Sequence, residues 1–301
     1  MNVSIYEHIK NNIKDGRLPE NFILPENCEK ECVKFACGAM DGIMMYNFGG
    51  QAEDNAHDII KALSGENIES AVKEALGTKQ VLFLCDALQR EIVKEKKYSA
   101  NELCKIALDL IKNSDSAEVV KTGFTLLELI GTEAVTEVRE LLRIFGLCDE
   151  FTLWCCYILR HYKDGNEEIF RLAQRVNGWG KVFAVKEFLE PETPEIRRWL
   201  LCSGCENDIL GSYTAEAVFV KGDVAKLLES RLPHEFDDEE VHGLAALAMR
   251  LTDEGPMAGV SALDEPKKVL ESMRNVLVQH MGDYEFIDSA IAAIDSYQFP
   301  E

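Results

Sequence analysis

From Ser99 onward the apolar positions of this chain recur at helical spacing, broken by turns at regular intervals. Leu103, Ile106, Ala107 and Leu110 fall on one side of a helix, and Val119, Val120, Phe124, Leu127 and Ile130 on one side of the next. Ser99 and Glu102 have the spacing of a capping box at the first start, and Gly131 marks the second stop. Further pairs are predicted over 133–145 and 150–161, 167–176 and 181–189, 195–201 and 209–220, 224–232 and 239–251, and 266–281 and 284–297. Thr193-Pro194-Glu195 carries a start signal of its own: an N-cap hydroxyl, a proline tolerated at the first helical position, and an acid at the positive end of the helix dipole. Starts near 100, 133, 166, 194 and 223 are separated by roughly 28–34 residues, the period of helical repeat arrays. No strand-like alternation appears. The pattern predicts an all-α chain, an α-solenoid of stacked antiparallel helix pairs over residues 99–301.

Residues 1–98 read as helical but less regular, an N-terminal part packed on the array within one continuous domain. Helices are expected over 3–13, 29–48, 53–63, 68–76 and 80–94, with 18–27 extended or looped because of Pro19 and Pro25. The phrase Phe35-Ala36-Cys37-Gly38-Ala39-Met40-Asp41-Gly42 places small residues where a second helix, or a ligand contacting Asp41, can approach the backbone.

Two resemblances follow from particular residues. Glu137-Val138-Arg139-Glu140-Leu141-Leu142 and Glu195-Ile196-Arg197-Arg198-Trp199-Leu200-Leu201 resemble HEAT and armadillo-type repeats, although no regular Pro or Asp marks each turn. That likeness implies a right-handed stack that serves as a binding scaffold. Over about 177–223, Asn177-Gly178-Trp179-Gly180, Pro191-Glu192-Thr193-Pro194-Glu195-Ile196 and Val220-Lys221-Gly222-Asp223 resemble uncharacterised bacterial HEAT-like proteins, some labelled limonene hydroxylase. That second likeness implies an alternative, a small-molecule-binding protein or enzyme.

Charge narrows the partners. Lys and Arg number 32 against 53 Asp and Glu, for a net charge of −21, which disfavours nucleic acid and anionic membrane surfaces. The acidity thickens towards the end of the chain, where Asp237, Asp238, Glu239 and Glu240 stand together. It serves solubility in the simpler reading. In the sharper one it steers a basic protein, so that the chain inhibits a basic partner. The start of the sequence has no signal-peptide h-region, and ten cysteines without one point to a reducing cytoplasm.

Candidate chemistry is sparse. Oxygen chemistry needs a cofactor or metal, and no Gly-x-Gly-x-x-Gly loop is present. Glu239-Glu240-Val241-His242 is a single Glu-x-x-His where a di-iron bundle needs two. His57-Asp58 lacks the companion ligands of a hydrolytic metal site. Cys202-Ser203-Gly204-Cys205 would need a second pair for zinc, which Cys28 and Cys32 could supply only by a fold-back of the N-terminus. No catalytic residue, metal or cofactor is assigned. The best binding candidate is Asn177 to Lys181, where glycines flank Trp179 at a turn. With Trp199 and Tyr213 it suggests an aromatic stripe on a concave face, edged by Lys181, Arg197, Arg198 and Lys221. Filling of the inter-repeat core is the competing role for both tryptophans. The expected function is a non-catalytic scaffold for a protein or peptide.

Overall fold

The computed structural model describes residues 3–25, 35–49, 55–190, 193–255 and 257–299; Cys28, Cys32 and Pro191-Glu192 lie outside them. Described residues are helical with no strand, apart from an isolated bridge between Lys14 and Arg17. The chain divides into two compact units, Met1–Ala184 and Val185–Glu301. No described helix is long and apolar enough to cross a membrane.

The first unit opens with α1 (Ile5–Asn12) and, after the undescribed stretch, α2 (Ala39–Ile43), which runs into a π-helical turn over Met44–Phe48. Of the helix that the spacing predicted over 29–48, residues 29–34 lie outside the described ones and 35–38 are not helical, because Gly38 adopts a left-handed φ of +73° and starts α2 afresh. Then come α3 (His57–Ala62), α4 (Ile68–Leu76), α5 (Val81–Glu95), α6 (Ala100–Asn113), α7 (Ala117–Glu128), α8 (Thr136–Phe145), α9 (Asp149–Leu159) and α10 (Gly165–Ala173). The division between units falls inside α11 (Gly178–Glu187). The capping box forms at α6: the Ser99 hydroxyl accepts from the Glu102 N–H, and the Glu102 carboxylate accepts from the Ser99 N–H.

Helix α7 is the axis of this unit. It packs on α6 as a hairpin and also on α4, α5 and α9, while α1 lies on α6 and α8. Phe145, from α8, meets Phe124 of α7 and Phe151 of α9 edge to face at 5.3 and 5.1 Å between centroids, and Phe124 and Phe151 lie tilted at 6.2 Å. Covered on several sides, α7 is buried continuously from Val119 to Leu127, and Lys121 is buried with it.

The second unit contains α12 (Pro194–Ser203), α13 (Ser212–Lys221), α14 (Val224–Ser230), α15 (Asp238–Leu251), α16 (Pro266–Leu277) and α17 (Glu285–Ser296). The Thr193 hydroxyl accepts from the Ile196 N–H and Pro194 is the first residue of α12, as the start signal predicted. Helix α15 is the axis here, in contact with α12, α13, α16 and α17.

Candidate functional site

In the second unit, α12 and α14 border a pocket of about 380 Å³. Its apolar walls include Pro194, Leu201 and Leu227, and its polar groups are Arg197, Arg198, Lys226, Arg231, Asp223 and Glu240. The sequence places them by simple means. Arg197 and Arg198 sit one turn into α12. Asp223 ends the α13–α14 turn at a φ of +53°, which an aspartate tolerates better than most residues, and Lys226 follows one turn later. Four cationic groups and two carboxylates thus share the lining in a strongly acidic chain.

Arg198 reaches Asp237 at 2.8 Å, Glu239 at 2.6 Å and Glu240 at 3.0 Å. Its hydrogen bonds hold the Asp237 carboxyl below the usual carboxylate range. Arg231 grips Glu240 with two parallel bonds of 2.9 and 2.8 Å. Burial works against ionisation of Glu240, but the Arg231 guanidinium and the Asp237 N–H outweigh it and the carboxyl is lowered. Asp237 and Glu240 also form the capping box of α15. The acidic stretch is thus largely engaged within the chain. Lys226 is held differently: its side chain is 75% exposed, and it approaches Asp223 at 3.9 Å, a carboxylate that Arg197 also contacts at 3.4 Å.

This network yields a first prediction. Glu240→Gln removes the charge that Arg231 and Arg198 share and one oxygen of the bidentate grip, while its amide oxygen can still accept from the Asp237 N–H, and should cost about 1–3 kcal/mol. Urea unfolding of the full chain measures it; an unchanged midpoint would mean the carboxylate contributes nothing to the unit.

The residues proposed from sequence separate into different roles. Arg197 and Arg198 line the pocket. Lys221 instead donates to the carbonyls of Lys186 and Phe188 at the end of α11. Trp199 packs on Phe188, and Tyr213 is buried on α13. In the first unit Asn177 is exposed ahead of α11, while Lys181 and Trp179 are buried. The Trp179 ring stacks on Tyr46 and tilts against Phe183. Its flanking glycines leave room for the Asp149 carboxylate, which would lie 2.7 Å from a Cβ on Gly178 and 2.5 Å from one on Gly180. Trp179, Trp199 and Tyr213 therefore belong to packing within two separate units, and no exposed stripe is formed by Trp179 or Tyr213.

A second polar centre, in the first unit, had only Asp41 as its signal in the sequence. The Lys121 side chain is 1% exposed, and its Nζ meets Asp41 at 2.9 Å, Glu118 at 2.9 Å and Glu150 at 2.6 Å. The Trp154 indole donates to Asp41 Oδ2 at 3.1 Å, the Gly38 N–H to Glu150 at 2.7 Å, and the Val81 N–H to Glu118 at 2.6 Å. Burial alone would discharge Lys121, but the three carboxylates hold its pKa well above the ordinary value. Burial pushes Asp41 up to about 6, with Lys121 pulling the other way. Glu150, also opposed by burial, is lowered by Lys121 and the Gly38 N–H. The difference is structural: Asp41 Oδ1 is buried without a donor. Lys121 itself gave no such signal in the sequence, because Glu118, Thr122 and Thr125 beside it on α7 are polar.

The remaining motifs are placed as follows. His57 and Asp58 are exposed at the start of α3. His242 Nδ1 pairs with the Asp238 carbonyl oxygen and its ring meets Tyr284 edge on. Cys202 is half-buried and Cys205 buried, with burial pushing the Cys202 thiol up to about 11. Among the described residues no three His, Cys, Asp or Glu side chains converge in a way that could hold a metal ion. Comparison with protein-family models, with curated proteins and with solved structures finds no match to this chain.

Proposed function

We propose that this chain is a non-catalytic binding protein, built as HEAT-like helix pairs, whose second unit receives an acidic segment of a protein partner. The observation that carries the reading is the convergence of Arg197, Arg198, Lys226 and Arg231 on one pocket in a chain with net charge −21. A cluster of cationic side chains on an acidic molecule selects by charge when an incoming carboxylate takes the place of the chain's own, since carboxylates elsewhere on the surface repel the same ligand. The apolar walls at Leu201 and Leu227 give the methylenes of a glutamate side chain somewhere to lie. Stacking supports the solenoid part of the reading: alternate helices touch along the series α3, α5, α7, α9 and again along α13, α15, α17. The polarity of the expected partner is reversed relative to the acidic surface, because Asp237, Glu239 and Glu240 are already paired with arginines.

The test uses a fluorescently labelled hexaglutamate peptide and its anisotropy on titration with the full chain. Binding that weakens with salt, and about tenfold in a double variant Arg197→Ala/Lys226→Ala, is the expected result. Equal binding by both proteins would overturn the assignment of this pocket. Citrate competing as strongly as the peptide would favour the alternative, a small-molecule-binding protein or enzyme, and an inorganic phosphate that does so would favour a phosphorylated ligand.

A further inference from the structure

Arg198 meets three carboxylates, and its two terminal nitrogens divide them. Nη1 lies 2.8 Å from Asp237 Oδ2 and 3.0 Å from Glu240 Oε1. Nη2 lies 3.3 Å from Asp237 Oδ1 and 2.6 Å from Glu239 Oε2. The three acids are not equally committed. Asp237 also accepts from the Glu240 N–H at the cap of α15. Glu240 is gripped by Arg231 and accepts from the Asp237 N–H. Glu239 is paired with Arg198 alone among the described residues, and its side chain is 68% exposed. It stands outside the lining of the pocket, whereas Arg198 is part of that lining. We infer that Glu239 is an internal competitor for the pocket: its carboxylate holds the edge of Arg198 that a ligand carboxylate takes, and binding displaces it. The inference rests on the binding reading proposed above and names what regulates that site.

The exchange is matched in charge and in hydrogen bonds. One carboxylate leaves Nη2 as another arrives, so the guanidinium keeps an acceptor on that edge. Asp237 and Glu240 hold Arg198 in place meanwhile, chiefly through Nη1. Release takes the rotation of one exposed side chain and no movement of α12 or α15. Glu239 also keeps a favourable position once released, because the second residue of α15 lies at the positive end of the helix dipole.

The strength of the device follows from exposure. A solvated ion pair is only weakly favoured over its open form, so Glu239 lowers apparent affinity by about two- to fivefold and does not shut the pocket. An isolated ligand carboxylate exchanges like for like at Arg198. A segment with several carboxylates also reaches Lys226, whose own partner Asp223 stands at 3.9 Å. Competition by Glu239 therefore favours a run of acids over a single one.

The test compares Glu239→Gln with Asp238→Asn in the full chain. Each removes one charge at the start of α15, but Asp238 forms no ion pair with Arg198. Labelled hexaglutamate is titrated at physiological salt and followed by anisotropy. Glu239→Gln should bind about two- to fivefold more tightly than the parent, and Asp238→Asn should show a clearly smaller gain. In an Arg198→Ala background, Glu239→Gln should gain no more than Asp238→Asn does; should that background not fold, the two single variants still decide. Equal gains in the single variants would overturn the inference, because they would reduce Glu239 to one more distant charge. So would binding that Glu239→Gln leaves at the parent's strength, with the binding reading intact. Absence of binding by the parent and by Glu239→Gln alike would remove that reading, and the competitor with it.

Discussion

Lys121→Met should destabilise the chain by about 3–5 kcal/mol, and the loss should shrink as the solution is acidified. The methionine fits the same channel through α7, so the effect is electrostatic: Asp41, Glu118 and Glu150 lose the one cation they share. Three carboxylates left together, two of them largely buried, can be accommodated only by taking up protons. In the native chain the signs differ. Glu150 is lowered, so it contributes stability above the ordinary carboxylate value and loses it on acidification. Asp41 is raised to about 6, so its contribution is greatest below the ordinary carboxylate value and is lost as pH rises through 6. Lys121 is raised, so its contribution persists through neutral pH and is lost only when the ammonium deprotonates in strong alkali.

In Lys121→Met all three acids shift upward. The difference in urea midpoint between variant and parent should be wide at about pH 8 and much narrower at about pH 5. A gap that does not depend on pH would refute the electrostatic account. Asp41→Asn separates the partners: it leaves Lys121 with two carboxylates, keeps an acceptor for Trp154 and removes an ion that burial opposes. It should cost no more than about 1 kcal/mol at about pH 8.

The contrast between what the chain's pattern announces and what it conceals follows from range. Helix starts were legible because their chemistry is local: Ser99 with Glu102, and Thr193 with Pro194, realise the caps their spacing predicts. Helix α4 runs from Ile68 to Leu76 as the periodicity predicts. The Lys121 centre was not legible, because its carboxylates come from positions 41, 118 and 150 and only Glu118 lies on the same helix. The apolar stripe of α7 was read as one buried face, yet α4, α5, α6 and α9 bury it almost all round. Arg197 and Arg198 stand out in the sequence because they sit in a recognisable helix start. Lys226 and Arg231, which line the same pocket, do not, because nothing near them in sequence says that α14 lies beside α12. Trp179 misled for a related reason: glycines around an aromatic look like an exposed loop, when here they admit the Asp149 carboxylate from another helix.

The same tryptophan gives the second large effect. Gly42→Ala should destabilise the first unit by about 1–3 kcal/mol or more, although it adds a single methyl and alanine is the better helix former. A Cβ at position 42 would stand 2.1 Å from Trp179 Cε3, 2.3 Å from Cζ3 and 2.6 Å from Cδ2, with three ring atoms inside contact distance. The ring has little room to retreat, with Tyr46 stacked at 6.3 Å between centroids and Phe183 at 6.0 Å. Relief must come from movement of α2, which also carries Asp41, so the charge centre is strained as well. Gly131→Ala is the control, since no atom lies within 4 Å of its added methyl, and it should change stability by less than about 0.5 kcal/mol. A smaller side chain opposite should absorb the clash: Gly42→Ala combined with Trp179→Leu should be less damaging than the sum of the two, by more than about 0.5 kcal/mol in a double-mutant cycle. Strict additivity in urea unfolding would show that residue 42 and the indole do not meet, and would remove the packing role assigned to the glycine-flanked tryptophan.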